Sequence, residues 1–533
     1  MQLYPTRATF HVAIAGAAMV ALGVALRIAP MVAFGGAMIL AVAVGRAFAL
    51  ASVTRLRGAG FEMVWTTKGR VSRVARGEDL VLRAELRNRG TDDVRGLTIR
   101  PLVSSMLEAS VDPLEIDLPA GSRATIDVRL KTTRVGRWGV HGMALEVRGI
   151  PVGGDALYEV PLMFANPHGV EVLPPSLQTF VASPRGGRAR RTAESGQRST
   201  VRGEGDEFRE LRGLVPGDAF KRIAWKASAR RGLLLVRETE REERDRIVCV
   251  LDASVELWAG ALGTSPLDVA IDDVAAVLTK HLRRGHLTGL VVHASRTQAY
   301  LPPAEGAAHL GKMIDALVSA GAPLDADRTE ADERDVALRV MEHLRPLDPM
   351  GLSDVRRDDL EALASRADGL KHRAPFTARA PLAGSLREQR LRHYLGVFGV
   401  ELGPRAEGER VNAEAEMGRV LLRLAGEKHP PNLVYVFGPA PDEGSAVEHA
   451  LKKLRQKHTQ VVWALPSHEG LRDVLDPIVR ARPSAVLVRE AVEMRAAAAE
   501  IRQRVDLRKL GVRIRPKRSA SESAPEPVPE KTP

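Results

Sequence analysis

Two apolar stretches open the chain, residues 10–26 ("FHVAIAGAAMVALGVAL") and 28–45 ("IAPMVAFGGAMILAVAVG"), with only Arg27 between them. At about 17 and 18 residues, each is at the short end of what crosses a bilayer. A charge held at the bilayer centre costs about 2.5 to 3.5 kcal/mol on insertion scales, so Arg27, with Pro30 nearby, belongs in a tight turn at an interface. The two stretches therefore read as a transmembrane helical hairpin over residues 1–58. Gly16, Ala17, Gly23, Gly35 and Gly36 are expected on its facing sides, since small residues let helices approach where lipid removes the hydrophobic drive. Arg7 precedes the hairpin and Arg46, Arg55, Arg57, Lys68 and Arg70 follow it, which by the positive-inside rule directs both ends, and the bulk of the protein, to the cytoplasm at the inner membrane. A cleaved signal peptide has a similar start, but the second apolar stretch argues against it.

A chain of 533 residues exceeds one comfortable core, and two or three folded units are expected. The balance of 78 basic to 66 acidic residues, net +12, with only 4% aromatics, points to an anionic surface such as membrane lipid. It does not suit nucleic acid, whose single strands need interleaved aromatics for stacking. Cys249, the single cysteine, sits in "IVCVL" and is expected as a small buried hydrophobe, without a disulfide or cysteine metal cluster.

Over residues 59–182 the pattern changes to short alternating runs. "DLVLRAELRNRG" sets Leu80, Leu82, Ala84 and Leu86 on one face, and "ATIDVRLKTT" does the same with Ile126, Val128 and Leu130. With recurring turn clusters, an immunoglobulin-like β-sandwich is the expected fold. The isolated His141 and His168 read as surface or turn residues rather than metal ligands. The charged docking segment 183–245 opens with a run over 183–205 that carries Arg185, Arg188, Arg190, Arg191, Arg198 and Arg202 among glycines and hydroxyl residues, and this run reads as a mobile, solvated linker.

From 246 to 515 short apolar runs alternate with amphipathic helical patterns. "RIVCVLDAS", "LTGLVVHA", "NLVYVFG" and "QVVWALP" are strands; Leu267, Ile271, Val274, Leu278 and Leu282 mark one of the helices between them. The alternation predicts a doubly wound α/β sheet whose working edge lies beyond the strands' carboxyl ends, where Asp252 and Ser254 fall. An insertion of mixed charge interrupts it at about 351–410, with a short amphipathic helix carrying Leu386, Leu391, Tyr394 and Leu395. Residues 516–533 are too polar and proline-rich to fold and are expected as a disordered tail.

The stretch "GDEFRELRGLVPGDAFKRIAWKASAR", followed by "LLLVRETERE" and "VLDAS", resembles the bacterial membrane-anchored family known as domain of unknown function fifty-eight. That likeness implies a von Willebrand factor A-like core and partnership with MoxR-type AAA+ ATPases and other von Willebrand factor A-like proteins. The family's positions fall on Arg212, Pro216, Gly217, Asp218, Arg222, Trp225, Lys226, Ala229 and Arg230; an acid common before the tryptophan is Ala224 here. Physically, Pro216 and Gly217 suit a type II turn, Asp218 can accept hydrogen bonds there, and Trp225 can anchor the segment against the sheet. The reading is a structural clamp and docking surface rather than a catalytic site.

A-domains of this kind bind Mg²⁺ through hard oxygen donors. Here the likeness places Asp252 and Ser254, with Glu256 where a second serine is usual, and Thr329 as the distant threonine, a degenerate set; no cofactor beyond Mg²⁺ is implied. The expected function is a non-enzymatic, membrane-anchored scaffold or adaptor that works with an AAA+ ATPase in protein complex assembly or maturation. The alternative is a metal-dependent hydrolase using the carboxylates at the strand exit.

Overall fold

The structure is a computed structural model that describes residues 4–5, 7–91, 93–148, 151–152, 155–156, 158–164, 166–177, 202–215, 220, 223–240, 244–258, 260–348, 351–352, 355–356, 359–404, 409–466, 476, 479–480, 482 and 485–515. The expected linker over 183–201 and the tail from 516 lie outside them. The chain divides into two compact units, one of Met1–Leu173 with Ala322–Ala406, the other of Pro174–Gly321 with Glu407–Pro533.

The first unit begins with helices α1 (Arg7–Ala25) and α2 (Ala29–Ala59), both containing spans long and apolar enough to cross a membrane. Only 17% and 11% of those spans is buried, so neither is the core helix of a globular domain. Between them Arg27 adopts φ +55°, Ile28 N–H donates to Gly23 O at 2.8 Å and Arg27 N–H to Val24 O at 3.3 Å. These bonds make a left-handed helix cap that folds the chain back at the residue expected to turn it. Gly16, Gly23 and Gly35 form the close contact: a Cβ on Gly35 would stand 2.7 Å from Gly16 O and 2.8 Å from Val20 N. Ala17 and Gly36, expected on the same faces, are not there; Ala17 is exposed, and a Cβ on Gly36 would meet nothing within 4 Å. A period of 3.6 residues carries neighbours at consecutive positions onto different faces, so only one of each pair can face the partner helix.

Two sheets follow and share one core. The first is antiparallel, in the order Phe61–Trp65, Asp79–Asn88, Arg123–Thr132, Leu107–Asp112. The second is built on the long strand Gly136–Arg148, with Val94–Val103 on one side and Tyr158–Phe164 and His168–Leu173 on the other. Leu82, Ala84 and Leu86 of the first sheet, with Ile126, Val128 and Leu130, pack against Leu97, Ile99 and Trp138 of the second, as the alternation predicts.

The residues 322–406 complete this unit, so the excursion starts earlier than the insertion expected from about 351. Its helices Glu333–Leu347, Leu360–Gly369 and Leu386–Phe398 share a core of Val340, Leu344, Leu363, Leu391, Tyr394 and Phe398. They meet the sheet through backbone and buried polar groups. Gly139 N–H donates to Gly399 O at 3.2 Å, and a Cβ on Gly139 would stand 2.3 Å from Phe398 O. Ser104 Oγ donates to Gly399 O at 2.6 Å and accepts from Gly139 N–H at 2.9 Å. Beside it, His141 Nδ1 lies 2.8 Å from His343 Nε2, and His343 Nδ1 lies 2.8 Å from Tyr394 Oη. His141 and His168 are thus buried, hydrogen-bonded residues and not the surface or turn residues expected; His168 Nε2 stands 3.0 Å from Ser72 Oγ. An isolated histidine carries no periodic signal, and its burial follows from tertiary partners far along the chain.

The second unit holds a six-stranded sheet: β1 (Arg246–Asp252), β2 (Leu287–His293), β3 (Thr297–Ala304), β4 (Leu433–Phe437), β5 (Gln460–Ala464) and β6 (Arg513–Ile514), in the order β3-β2-β1-β4-β5-β6. Every pairing is parallel except β2 with β3. The doubly wound arrangement is as expected, and its order reverses between β1 and β4, the place where such sheets open a crevice. Cys249 is fully buried in β1.

Two predictions follow the packing. Gly35→Leu should weaken the helix pair by about 1–3 kcal/mol, through overpacking against backbone, whereas Gly36→Leu should change it by less than about 0.5 kcal/mol; unfolding in mixed micelles reads both. Burial pushes the His141 imidazole down from 6.5 to about 4, and burial together with His141 lowers His343 as well. The folded state therefore binds fewer protons than the unfolded chain. Both forms are neutral above about pH 6.5, and stability should fall as pH drops from there toward about 4, by ~3 kcal/mol for His141 alone. Protection factors of the amides in the helix Leu386–Phe398, corrected at each pH for the intrinsic exchange rate, should fall over that window and lose much of this pH dependence in His141→Gln.

Candidate docking surface and strand-exit site

The motif segment forms a two-stranded antiparallel pair, Arg202–Gly213 with Leu235–Glu240, so the strand begins where the linker was expected to continue. Leu214 N–H donates to Leu234 O at 2.9 Å, and Ile223 bridges Val236. Ala224 then starts helix α3 (Trp225–Arg231), which stops at Gly232 with φ +66°. Ala224 occupies the cap position, where an acid would accept from the first-turn amides; alanine makes no side-chain cap bond. Ser228 supplies a different tie. Its buried Oγ donates to Ala224 O at 3.0 Å and accepts from Leu235 N–H at 2.9 Å, locking α3 to the strand.

Ile223, Ala224, Leu235 and Val236 are the buried anchors of this element. Trp225 is not: its side chain is 54% exposed and leans on Phe220, itself 73% exposed, with ring centroids 5.5 Å apart. Leu214, Val215, Leu233 and Leu234 are exposed as well. Lys226, Arg230 and Arg231 stand exposed on α3, and half-buried Arg212 donates from Nη1 to Gly213 O at 3.1 Å. Exposed apolar, aromatic and basic side chains thus share this short element. Pro216, Gly217, Asp218 and Arg222 lie outside the described residues. Ser228 escaped sequence reasoning because a lone hydroxyl in "KASAR" looks like helix surface; the turn at Gly232, which returns the chain against it, was the available signal.

At the exit of β1, Asp252 is 2% exposed and its Oδ1 accepts from Ser254 N–H at 2.9 Å. Across the order reversal, a Cβ on Gly438 would stand 2.9 Å from the Asp252 Cβ, so glycine is what lets β4 leave beside the carboxylate. Trp463 closes the neighbourhood by donating Nε1–H to Gly438 O at 2.9 Å. Asp442 is exposed, 3.9 Å from Arg410. His293, paired in register with Asp252, is fully buried, and both ring nitrogens are without a hydrogen-bond partner among the described residues. "HAS" after β2 repeats the form of "DAS" after β1, a signal that sequence reasoning passed over.

Glu256 falls in the short 3-10 turn Val255–Trp258, its side chain outside the description. Thr329 belongs to the first unit, where its hydroxyl donates to Gly403 O at 2.7 Å and accepts from Ala331 N–H at 3.1 Å. Asp252 and Ser254 are oxygen donors of the type Mg²⁺ takes. Among the described residues no group of three or more His, Cys, Asp or Glu has metal-holding geometry.

A family model, Protein of unknown function DUF58, matches residues 210–369, so the resemblance seen in the motif segment stands. No curated protein matches the chain. Among solved structures, the secreted serine protease VesC from Vibrio cholerae is similar at 13% identity over 25% of this chain and 28% of that one, with a TM-score of 0.16. WR4, a C. elegans MSP family member, is similar at 5% identity over 21% of this chain and 94% of that one, TM-score 0.14. The ASH/PapD-like domain of human CEP192 gives 12%, 21% and 84%, with a TM-score of 0.15. Likenesses this slight carry no argument about fold or activity.

Ser228→Ala should leave the Leu235 amide buried without its acceptor, a loss of about 1–3 kcal/mol. Hydrogen exchange at Leu235 and across α3 should quicken accordingly, while β1 amides keep their protection.

Proposed function

We propose that this chain is a membrane-anchored, cytoplasm-facing adaptor, whose segment around α3 docks a protein partner with an acidic rim and an apolar centre. The exposed side chains of this element carry this reading: Phe220 and Trp225 pack on each other at the surface, and Leu233, Leu234, Lys226, Arg230 and Arg231 of the same short segment are exposed as well. Soluble surfaces rarely leave such side chains clustered without a use, and aromatic anchors with cationic neighbours are typical of interface centres. The patch lies within the family-matched residues, which favours a partner of the kind the family likeness implies, a MoxR-type AAA+ ATPase. The sheet order supports a von Willebrand factor A-like core, and the two sheets of the first unit support an immunoglobulin-like spacer. The outward apolar faces of α1 and α2 support the anchor.

Burial of Asp252 and His293 favours a packing role for the strand exit over contact with a substrate. Mg²⁺ at Asp252 and Ser254 is part of the proposal only as a modulator of that edge.

The test is recovery of partners from detergent-solubilised membranes. Relative to wild type, Phe220→Ser with Trp225→Ala should lower capture of an AAA+ ATPase by roughly tenfold or more, about 1.4 kcal/mol or above. Arg230→Glu with Arg231→Glu should slow association and make it less sensitive to salt. Equal recovery by every variant would sink the docking assignment.

A further inference from the structure

The last helix of the second unit, α4 (Ala485–Lys509), joins the core of its sheet at the C-terminal end. Of its 25 residues Leu507 alone is buried, in the cluster that also holds Trp463 and Val512. One side of the helix carries local ties: Arg489 pairs with Asp476 at 3.0 Å, and Arg504 with Glu500 at 2.6 Å. The other side carries an apolar line. Leu487, Ala491, Met494, Ala498, Ile501 and Val505 are all exposed, with Leu487, Met494 and Ile501 at 74%, 68% and 64%. A helix gains most of its stability from an apolar face packed on something, and this face has no cover within the chain's described residues.

The spacing of the line shows what fits it. Its steps alternate between four and three residues, which keeps a narrow seam turned toward one neighbouring helix. A helix lying in a lipid surface carries a broader stripe with bulky and aromatic side chains, whereas this seam has no aromatic residue and includes two alanines.

The order of sizes along the seam then selects the neighbour. Against an antiparallel copy of α4, Leu487 faces Val505, Ala491 faces Ile501 and Met494 faces Ala498, and the two-fold axis repeats each pairing in reverse. Each alanine meets a large side chain, so the two helices keep an even distance along about 27 Å. A parallel pair would set alanine on alanine at 491 and 498 and open gaps between the larger layers. Flanking charge agrees with the antiparallel register, which brings exposed Glu490 of each copy toward Arg504 of the other, already paired with its own Glu500. Like charges oppose each other at Arg495, which meets its counterpart at the axis.

We infer that α4 is a self-association surface, on which α4 of a second copy of this chain lies antiparallel. The site is separate from the element around α3 and depends neither on that docking reading nor on the anchor.

Sedimentation of the full-length protein in neutral detergent, across a range of concentrations, should show a monomer–dimer equilibrium. Met494→Glu alters a side chain exposed in the single chain and sets a carboxylate against Ala498 of the second copy, so the dimer dissociation constant should rise tenfold or more. Arg495→Gln relieves the like-charge contact and should lower that constant roughly twofold. A spin label on Val488→Cys reads the direction, since Cys249 is buried and stays unlabelled. Antiparallel helices hold the two labels about 24 Å apart along the axis, and parallel ones hold them side by side. Monomer at every concentration, a Met494→Glu dimer as tight as wild type, an Arg495→Gln dimer weaker than wild type, or labels side by side overturns the inference. Association through α1 and α2 would show itself as the second of these outcomes, and the label distance decides the register even where a substituted chain fails to fold.

Discussion

The backbones of Gly139 and Gly399 touch, and closure of the first unit depends on that contact. Any side chain at Gly139 would meet the Phe398 carbonyl, and Gly399 sits at φ +68° with the Gly139 amide 2.8 Å from where its Cβ would be. The approach brings Ser104, His141, His343 and Tyr394 together inside the protein. Each polar atom in such a chain is costly if left alone, so the network has a narrow choice: complete pairing or a loosened junction. The helices keep an apolar core of their own, and this set of hydrogen bonds sets their register on the sheet.

The same economy separates the inner aromatic residues from the outer ones. Trp138 and Trp463 are buried and each gives its indole proton to a carbonyl, Arg134 O and Gly438 O. Trp225 stays outside, beside Phe220, on a short helix whose interior is handled by Ser228 and Ile223. The buried ties of this element are thus made by its smaller side chains. At the strand exit the reverse holds: Asp252, Ser254 and His293 are polar, yet all are buried.

Much of this architecture was legible in the residues. Alternation at Leu82, Ala84 and Leu86 placed one sheet, and the apolar runs "RIVCVLDAS" and "LTGLVVHA" placed the middle of the other, because strand periodicity is local and survives without tertiary help. The charge of Arg27 marked the helical turn. Ala17 and Gly36 show the limit of composition, since both are small and only geometry decides which small residue faces its partner. His141 and Thr329 show another limit: one is buried by a histidine 202 positions away, and the other is spent on the Gly403 carbonyl. The motif segment was recognisable as a segment, but the side of Trp225 that meets water was not, because a seven-residue helix has too few turns to show an amphipathic stripe.

The excursion over 322–406 also orders events at the ribosome. The β-rich part of the first unit leaves the exit tunnel well before the helices that cover Ser104, Gly139 and His141, because residues 174–321 of the other unit are made in between. Until those helices arrive, the nascent chain presents a glycine-rich sheet surface with unpaired polar atoms and uncovered apolar neighbours, the kind of intermediate that aggregates or recruits chaperones. Synthesis speed through 174–321 therefore sets how long that surface waits.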